Sequence, residues 1–264
     1  MLLTLLTDFG LADYYVGAVK GTVLSLAPAA RIVDLSHDVP PGDVATAAFL
    51  LAAAAPSFPP ATVHLAVVDP GVGTARRILV AEAAGALFLA PDNGLLTPFF
   101  DPPGAARLRA VERPDLYLPG PGATFHGRDR FAPLAAALLR GEPPAALGAE
   151  IGDPVRLPGE PPCREGGLLV GRVVHVDRFG NLVTDLPSAW LEPGPCRAEV
   201  AAEVGGAGTR IATAYAACYG QLPPGEPGVL PGSLGTLELA LAGDDLARRW
   251  GVQRGAAVRI RAGR

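Results

Sequence analysis

The chain opens on an apolar run, Leu2–Leu6, that breaks into the polar stretch T-D-F-G-L-A-D at Thr7–Asp13. A short continuous apolar run bounded by turn residues reads as a buried strand. The period then changes. Tyr14–Leu26 repeats its apolar positions at helical spacing and ends before Pro28. Arg31–Leu35 predicts a second strand, closing on S-H-D-V-P-P-G-D, and Asp43 is placed to cap a helix over Val44–Ala54. Thr62–Val68 predicts a third strand, and Ile78–Glu82 and Leu87–Ala90 two shorter ones, with a turn at Pro91–Gly94. Asp129 is expected to cap a further helix that runs to Leu139. Strands alternating with helices predict an α/β N-terminal domain with a largely parallel sheet.

The pattern shifts across Gly148–Gly167, a segment rich in Pro, Gly and charge that reads as a linker. Short β runs follow at Leu168–Val176, Leu182–Asp185, Cys196–Val204, Arg210–Ala214, Thr236–Ala242 and Ala256–Arg261. Within this half Asp244–Trp250 alone has a helical pattern, and Gly205–Gly208 reads as a hairpin tip. Short strands at this spacing predict a smaller all-β, barrel-like or sandwich C-terminal domain. The expected division is residues 1–155, a linker at 156–167, and 168–264.

Composition narrows the function classes. With 49% hydrophobic and 18% charged residues, 264 residues suffice for a sizeable core in a soluble protein. A net charge of -4 and the lack of a Lys/Arg cluster exclude a nucleic-acid partner from the expectation. Cys163, Cys196 and Cys218 are an odd number without C-x-x-C spacing, so no disulfide framework is expected and a cytoplasmic location is. The first residues lack the basic region of a signal peptide. The longest apolar run, Ala47–Ala55, is too short to span a membrane.

Candidate chemistry concentrates in V-V-D-P-G-V-G-T-A-R-R at Val67–Arg77. A strand delivers Asp69 at its carboxyl end, where open α/β sheets keep their ligands. Pro70, Gly71 and Gly73 force a turn, and Arg76 and Arg77 follow. Asp69 with Arg76 reads either as an ion pair stiffening the loop or as a site for a water or anion, and a glycine-rich turn that lets backbone approach a ligand favours the site. The Walker pattern for phosphate is absent. His126, in F-H-G-R-D-R-F, is a second-loop candidate for taking or giving a proton, or else a capping or buried histidine. Asp8 and Asp13 follow the first strand and could grip a sugar diol and an ammonium, or cap the helix. Asp177 and Asn181, in V-D-R-F-G-N-L-V-T, and Ser233 and Glu238, in P-G-S-L-G-T-L-E-L, sit where ordinary hairpin residues also occur. His64 falls inside an apolar strand. His37 beside Asp38 is a weak metal signal.

Taken together, T-D-F-G-L-A-D-Y-Y-V-G, S-H-D-V-P-P-G-D, V-V-D-P-G-V-G-T-A-R-R, A-P-D-N-G-L-L, F-H-G-R-D-R-F and V-D-R-F-G-N-L-V-T resemble one family, in the same order along almost the whole chain. It is the S-adenosyl-L-methionine hydrolase (adenosine-forming) family, the S-adenosyl-L-methionine hydroxide adenosyltransferases, relatives of the bacterial fluorinase and chlorinase. The resemblance implies an α/β domain, a barrel-like β domain and a homotrimer with the site at the subunit interface. It implies a catalytic triad of Asp69, Arg76 and His126, with Arg77 outside it. Asp8 would bind the ribose hydroxyls. Asp13 and Asp177 would lie near the methionine amine, Asn181 at adenine and Ser233 near the methionine carboxylate, with Glu238 a further substrate-binding position. No metal or cofactor is implied, since S-adenosyl-L-methionine is the substrate.

The halogenating relatives carry an aromatic hydroxyl where Asp69 stands and an extra loop in the region after Asn93, where this chain passes quickly to Asp101-Pro102-Pro103. Gly42 stands where the fluorinating branch lines its sugar pocket with an aromatic. The implied reaction is attack of a water or hydroxide on C5′, giving adenosine and L-methionine. Competing readings are a non-catalytic sensor of S-adenosylmethionine or adenosine, a metal-dependent hydrolase using Asp8, His37, Asp69 and His126, and a halogenase.

Overall fold

Leu3 and Leu5 turn to one face of the first strand and Leu6 to the other, and both faces are covered. That is the reason this strand reads as continuously apolar rather than alternating. The computed structural model describes residues 1–100, 106–119, 124–202 and 208–262. The chain divides into two units, Met1–Pro158 and Gly159–Arg264.

The first unit contains strands β1 (Leu2–Thr7), β2 (Arg31–Ser36), β3 (Val63–Val67), β4 (Ile78–Ala83), β5 (Ala86–Pro91) and β6 (Arg107–Ala110), with helices α1 (Tyr15–Leu26), α2 (Val44–Ala54) and α3 (Ala132–Leu139). They form a sheet in the order β2-β1-β3-β5-β4-β6. The pairs β2–β1, β1–β3 and β3–β5 are parallel, whereas β5–β4 and β4–β6 are antiparallel. Val16, Val19 and Val23 of α1 pack with α3 onto Leu3, Leu5, Leu65 and Leu89. Ala47 and Leu51 of α2 pack with Leu6, Ala66, Phe88 and Ala90 on the opposite face. The result is a three-layer α/β unit with a mostly parallel sheet.

Asp43 caps α2 as its position predicts, its Oδ1 accepting from the Thr46 amide at 3.0 Å. Asp129 does not cap a helix. Residues Gly127–Phe131 form a π-turn leading into α3, with His126 at the N-cap. Asp129 lies inside that turn, and its carboxylate accepts from the Arg128 guanidinium at 2.6 and 3.0 Å. A charged donor one residue away outcompetes a neutral amide for the carboxylate.

The second unit holds β7 (Cys163–Glu165), β8 (Leu168–Val176), β9 (Leu182–Pro187), β10 (Cys196–Ala202), β11 (Gly208–Ala212), β12 (Ala214–Tyr215), β13 (Pro227–Pro231), β14 (Thr236–Leu241) and β15 (Ala257–Ala262), with the short helix α4 (Leu246–Trp250). The path β11-β10-β15-β8-β9-β14-β13-β12 is antiparallel except at β12–β13. Its ends return to one another, β10 near β12 and β11 near β13, so the sheet curls into a nearly closed barrel. Leu169, Val173, Leu182, Leu239, Val258 and Ile260 fill the interior. Cys163, Cys196 and Cys218 are free thiols. Residues 205–207 of the expected hairpin tip, and Asp101-Pro102-Pro103, lie outside the described residues. No helix among the described residues is long and apolar enough to cross a membrane.

Candidate active site

The register of the parallel sheet brings the first two site loops together. Thr7 at the end of β1 pairs with Val67 at the end of β3, so Asp8 and Asp69 leave the same sheet edge on neighbouring strands. The loop after β3 then folds back on itself. Val72 donates to the Asp69 carbonyl and Thr74 to that of Gly71, both at 3.1 Å, and Gly73 adopts φ +84°. This doubling-back returns Arg76 to Asp69. The Arg76 Nε donates to both Asp69 carboxylate oxygens at 2.9 Å, and its Nη2 donates to Oδ2. Both side chains are almost fully buried. Asn93 holds the loop root by donating from Nδ2 to the Val68 carbonyl at 2.9 Å. Arg77 turns away and pairs with Asp92 and Asp153.

The third member comes from the loop before the π-turn. Arg76 Nη2 lies 2.8 Å from His126 Nδ1. A guanidinium has no acceptor, so His126 Nδ1 must accept and the ring proton sits on Nε2. That Nε2–H is buried without a protein partner. Burial, with Arg130 and Arg76 nearby, pushes the imidazole below its usual range and outweighs the opposing pull of Asp69 and Asp129. His126 is therefore neutral near pH 7.

Asp8, Gly42, Asp69 and His126 line one cleft of about 470 Å³, with Phe9, Tyr14, Tyr15 and Phe125 as its aromatic wall. Asp8 Oδ2 accepts from the Gly42 amide at 2.8 Å, and Gly42 adopts φ +74°. The Tyr15 and Phe125 rings meet edge to face at 5.1 Å. Gly127 lets the Phe9 ring approach: a Cβ there would stand 3.2 Å from that ring. Sequence reasoning did not mark this aromatic wall as part of a site, although T-D-F-G and D-Y-Y carry it next to Asp8.

The other expected residues are placed as follows. Asp13 is exposed and does not cap α1, whose N-cap is Tyr14. Asp177 Oδ1 accepts from the Phe179 and Asn181 amides, and its Oδ2 from Asn181 Nδ2 at 2.8 Å, so this pair closes a turn in the second unit. Glu238 is buried and accepts from the Tyr219 hydroxyl. Ser233 is exposed one residue after Gly232, whose backbone lies against Glu238. His64 is a core residue: its Nδ1 lies 2.7 Å from Thr4 Oγ1, its ring stacks on Phe88, and burial pushes its pKa down to about 4. The four-residue metal set is not assembled, and no group of three His, Cys, Asp or Glu able to hold a metal occurs among the described residues. His37 is instead engaged with Thr7 and Asp34.

A three-layer α/β unit with a carboxylate–guanidinium–imidazole cluster at the carboxyl edge of its parallel strands, followed by a barrel-like unit, defines a two-domain protein of the α/β-plus-barrel class. Residues 3–148 match the model for the SAM hydroxide adenosyltransferase N-terminal domain, and residues 171–259 match that for the C-terminal domain. The chain belongs to the SAM hydroxide adenosyltransferase family. It is 42% identical over 262 residues to the (R)-S-adenosyl-L-methionine hydrolase of Thermus thermophilus, with 97% of each chain covered. It is 41% identical to that of Salinispora tropica, covering 97% of this chain and 96% of the relative. A fluorinase from an Actinoplanes species is more distant, 30% identical over 72% of this chain and 73% of its own. Among solved structures, an uncharacterized conserved protein from Thermotoga maritima superposes with a TM-score of 0.89 at 36% identity, over 99% of this chain and 100% of that one.

Proposed function

We propose that this chain hydrolyses S-adenosyl-L-methionine to adenosine and L-methionine by in-line attack of water on C5′. The observation that carries the reading is that Asp69 and His126, both in the wall of the cleft that also holds Asp8, are interlocked through Arg76. The names of the relatives support the substrate and direct attention to its (R) sulfonium epimer.

The departing thioether is already activated by its positive charge, so the leaving group needs neither a proton nor a metal. What the step requires is a nucleophile held about 3–3.5 Å from carbon in line with the C–S bond. An ionised carboxylate offers about four lone-pair positions. Arg76 directs two N–H groups at Asp69, the Nε–H shared between both oxygens and an Nη2–H to Oδ2, so Oδ1 keeps room to accept a hydrogen from water. His126 supplies the complementary group, a buried Nε2–H without a partner among the described residues, which this reading assigns to the same water. In this tautomer the imidazole orients, and the carboxylate is the proton acceptor as the new C–O bond forms. Arg76 sets both groups at once and balances the charge of Asp69.

Asp8 binds the ribose hydroxyls in this reading. This reading keeps its carboxylate at the sugar and away from the sulfonium, whose charge disappears in the transition state and is therefore not a productive target for ground-state attraction. Asp13 and Asp177 serve the methionine amine, Asn181 adenine, Ser233 the methionine carboxylate, and Glu238 a further substrate contact. The chain works without a cofactor, as a cytoplasmic homotrimer with the site at the subunit interface, and without nucleic acid or membrane. The test is turnover of each sulfonium epimer in ¹⁸O-labelled water, with mass analysis of the nucleoside. Label at the 5′ oxygen of adenosine is the expected result. Tight binding without product, or a 5′-halo nucleoside in the presence of halide, overturns it.

A further inference from the structure

Asp8 is held from two directions by one loop. The segment after β2 supplies the Gly42 amide to the Asp8 carboxylate. Five residues earlier the same segment supplies His37, which is buried to 4% exposure under the backbone that flanks Asp8. Its carbonyl accepts from the Gly10 amide at 2.9 Å. Its Nδ1 lies 2.8 Å from Thr7 Oγ1, and that oxygen accepts from the Phe9 amide at 3.3 Å. On the far side His37 Nε2 lies 3.1 Å from Asp34 Oδ1, while Asp34 Oδ2 accepts from Lys20 Nζ at 2.6 Å. Burial opposes charge on Asp34, but Lys20 and His37 outweigh it and hold the carboxyl below its usual range. Among the described residues His37 Nε2 makes no hydrogen bond, so Asp34 faces the ring electrostatically while Nδ1 is the nitrogen hydrogen-bonded to Thr7. Phe9 N–H thus donates to Thr7 Oγ1, Thr7 Oγ1 is hydrogen-bonded to His37 Nδ1, and His37 Nε2 meets Asp34 through a 3.1 Å charge contact rather than a hydrogen bond.

We propose that His37 is a positioning residue for ribose recognition: the chain Asp34–His37–Thr7 fixes the backbone on both sides of Asp8, so that its carboxylate meets the sugar hydroxyls. The proposal rests on the reading that Asp8 binds ribose. It assigns a task to a histidine that neither touches the substrate nor belongs to the Asp69 cluster. Unsupported, the Thr7–Gly10 turn loses the His37 side chain beneath it, and Asp8 keeps the Gly42 amide as its remaining tether.

The experiment compares binding of adenosine and 2′,3′-dideoxyadenosine to the wild type, His37→Phe and Asp34→Asn by calorimetry, alongside KM, kcat and melting temperature. Asp34 lies at the exposed end of the chain, so its variant keeps the fold even where His37→Phe does not. The expected result is a wild-type preference for adenosine that falls about tenfold in His37→Phe and about threefold in Asp34→Asn, the scale of one ordinary net hydrogen bond. Dideoxyadenosine affinity stays unchanged, and KM for S-adenosylmethionine rises while kcat moves less than about twofold. A wild type that binds neither nucleoside overturns the functional reading and this one with it. A wild type that discriminates the two, with variants that discriminate equally well or lose affinity for both alike, overturns the positioning role alone.

Discussion

Arg76 Nη2 sits 2.8 Å from His126 Nδ1, and this contact decides which nitrogen of the imidazole is free. The same guanidinium also grips Asp69 through Nε. One side chain thus fixes the geometry of a carboxylate and the tautomer of a histidine 50 residues further along the chain.

Asp69→Asn is expected to lower kcat by about 10²–10⁴, the range for losing a positioned proton-transfer group, and His126→Ala to lower kcat through loss of the group that orients the water. Substrate affinity by calorimetry should change little. Arg76→Lys should be as damaging as either, because an ammonium cannot reproduce the fork that holds both partners. Near-wild-type turnover in the first two variants would remove the triad assignment.

The pH dependence has a defined sign. His126 must be neutral to accept from Arg76, and its pKa is lowered by burial, Arg130 and Arg76. The kcat/KM profile should therefore stay level as pH falls through the ordinary histidine range near about 6.5 and decline only below it. Arg130→Gln removes one opposing cation, so the acid limb should move to higher pH. A limb that is unmoved, or that moves the other way, contradicts the electrostatic account.

His64 makes stability depend on pH independently of activity. Its folded pKa of about 4 lies below the unfolded value, so the unfolded chain binds more protons between the two. Stability is complete above the unfolded pKa and is lost as pH falls toward the folded one. Between pH 7.5 and 4.5 the loss amounts to about 2–3 kcal/mol. Urea unfolding at both pH values should show His64→Gln with a smaller drop than the wild type by about this amount. Equal drops would show that some other group governs acid unfolding.

Gly42→Ala probes the carboxylate tether. An added Cβ meets Pro70 at an ordinary 3.7 Å, so space is available, but φ of +74° is unfavourable for alanine. The strain is about 1–2 kcal/mol. The expected outcome is a lowered melting temperature together with a raised KM, as the Gly42 amide shifts from Asp8. An unchanged KM would show that this amide does not orient the carboxylate.

The strands bordering the site were readable from the sequence because β1 and β3 are covered on both faces and so remain apolar without interruption. β6 escaped detection: R-L-R-A at Arg107–Ala110 has charge on alternate positions, with Arg109 paired to Glu82 and Glu150. β13 was hidden by Pro227 and Pro231, which read as breakers but sit at the two ends of the strand. Asp69 and Arg76 were legible as neighbours because a glycine turn separates them by seven residues. The His126 tautomer was not legible, since it is set by a residue from a distant loop. His37 likewise looked like a weak metal ligand, because S-H-D says nothing of the threonine that reaches it from the neighbouring strand or of the aspartate three residues earlier.

The π-turn at Gly127–Phe131 carries one residue more per turn than the helix it feeds. Removing a single residue there would let ordinary α-helical winding run back to position 126 and swing the imidazole by roughly 100° about the helix axis. An otherwise intact fold would then present its histidine to the wrong neighbours, so the length of this stretch is as constrained as its buried side chains.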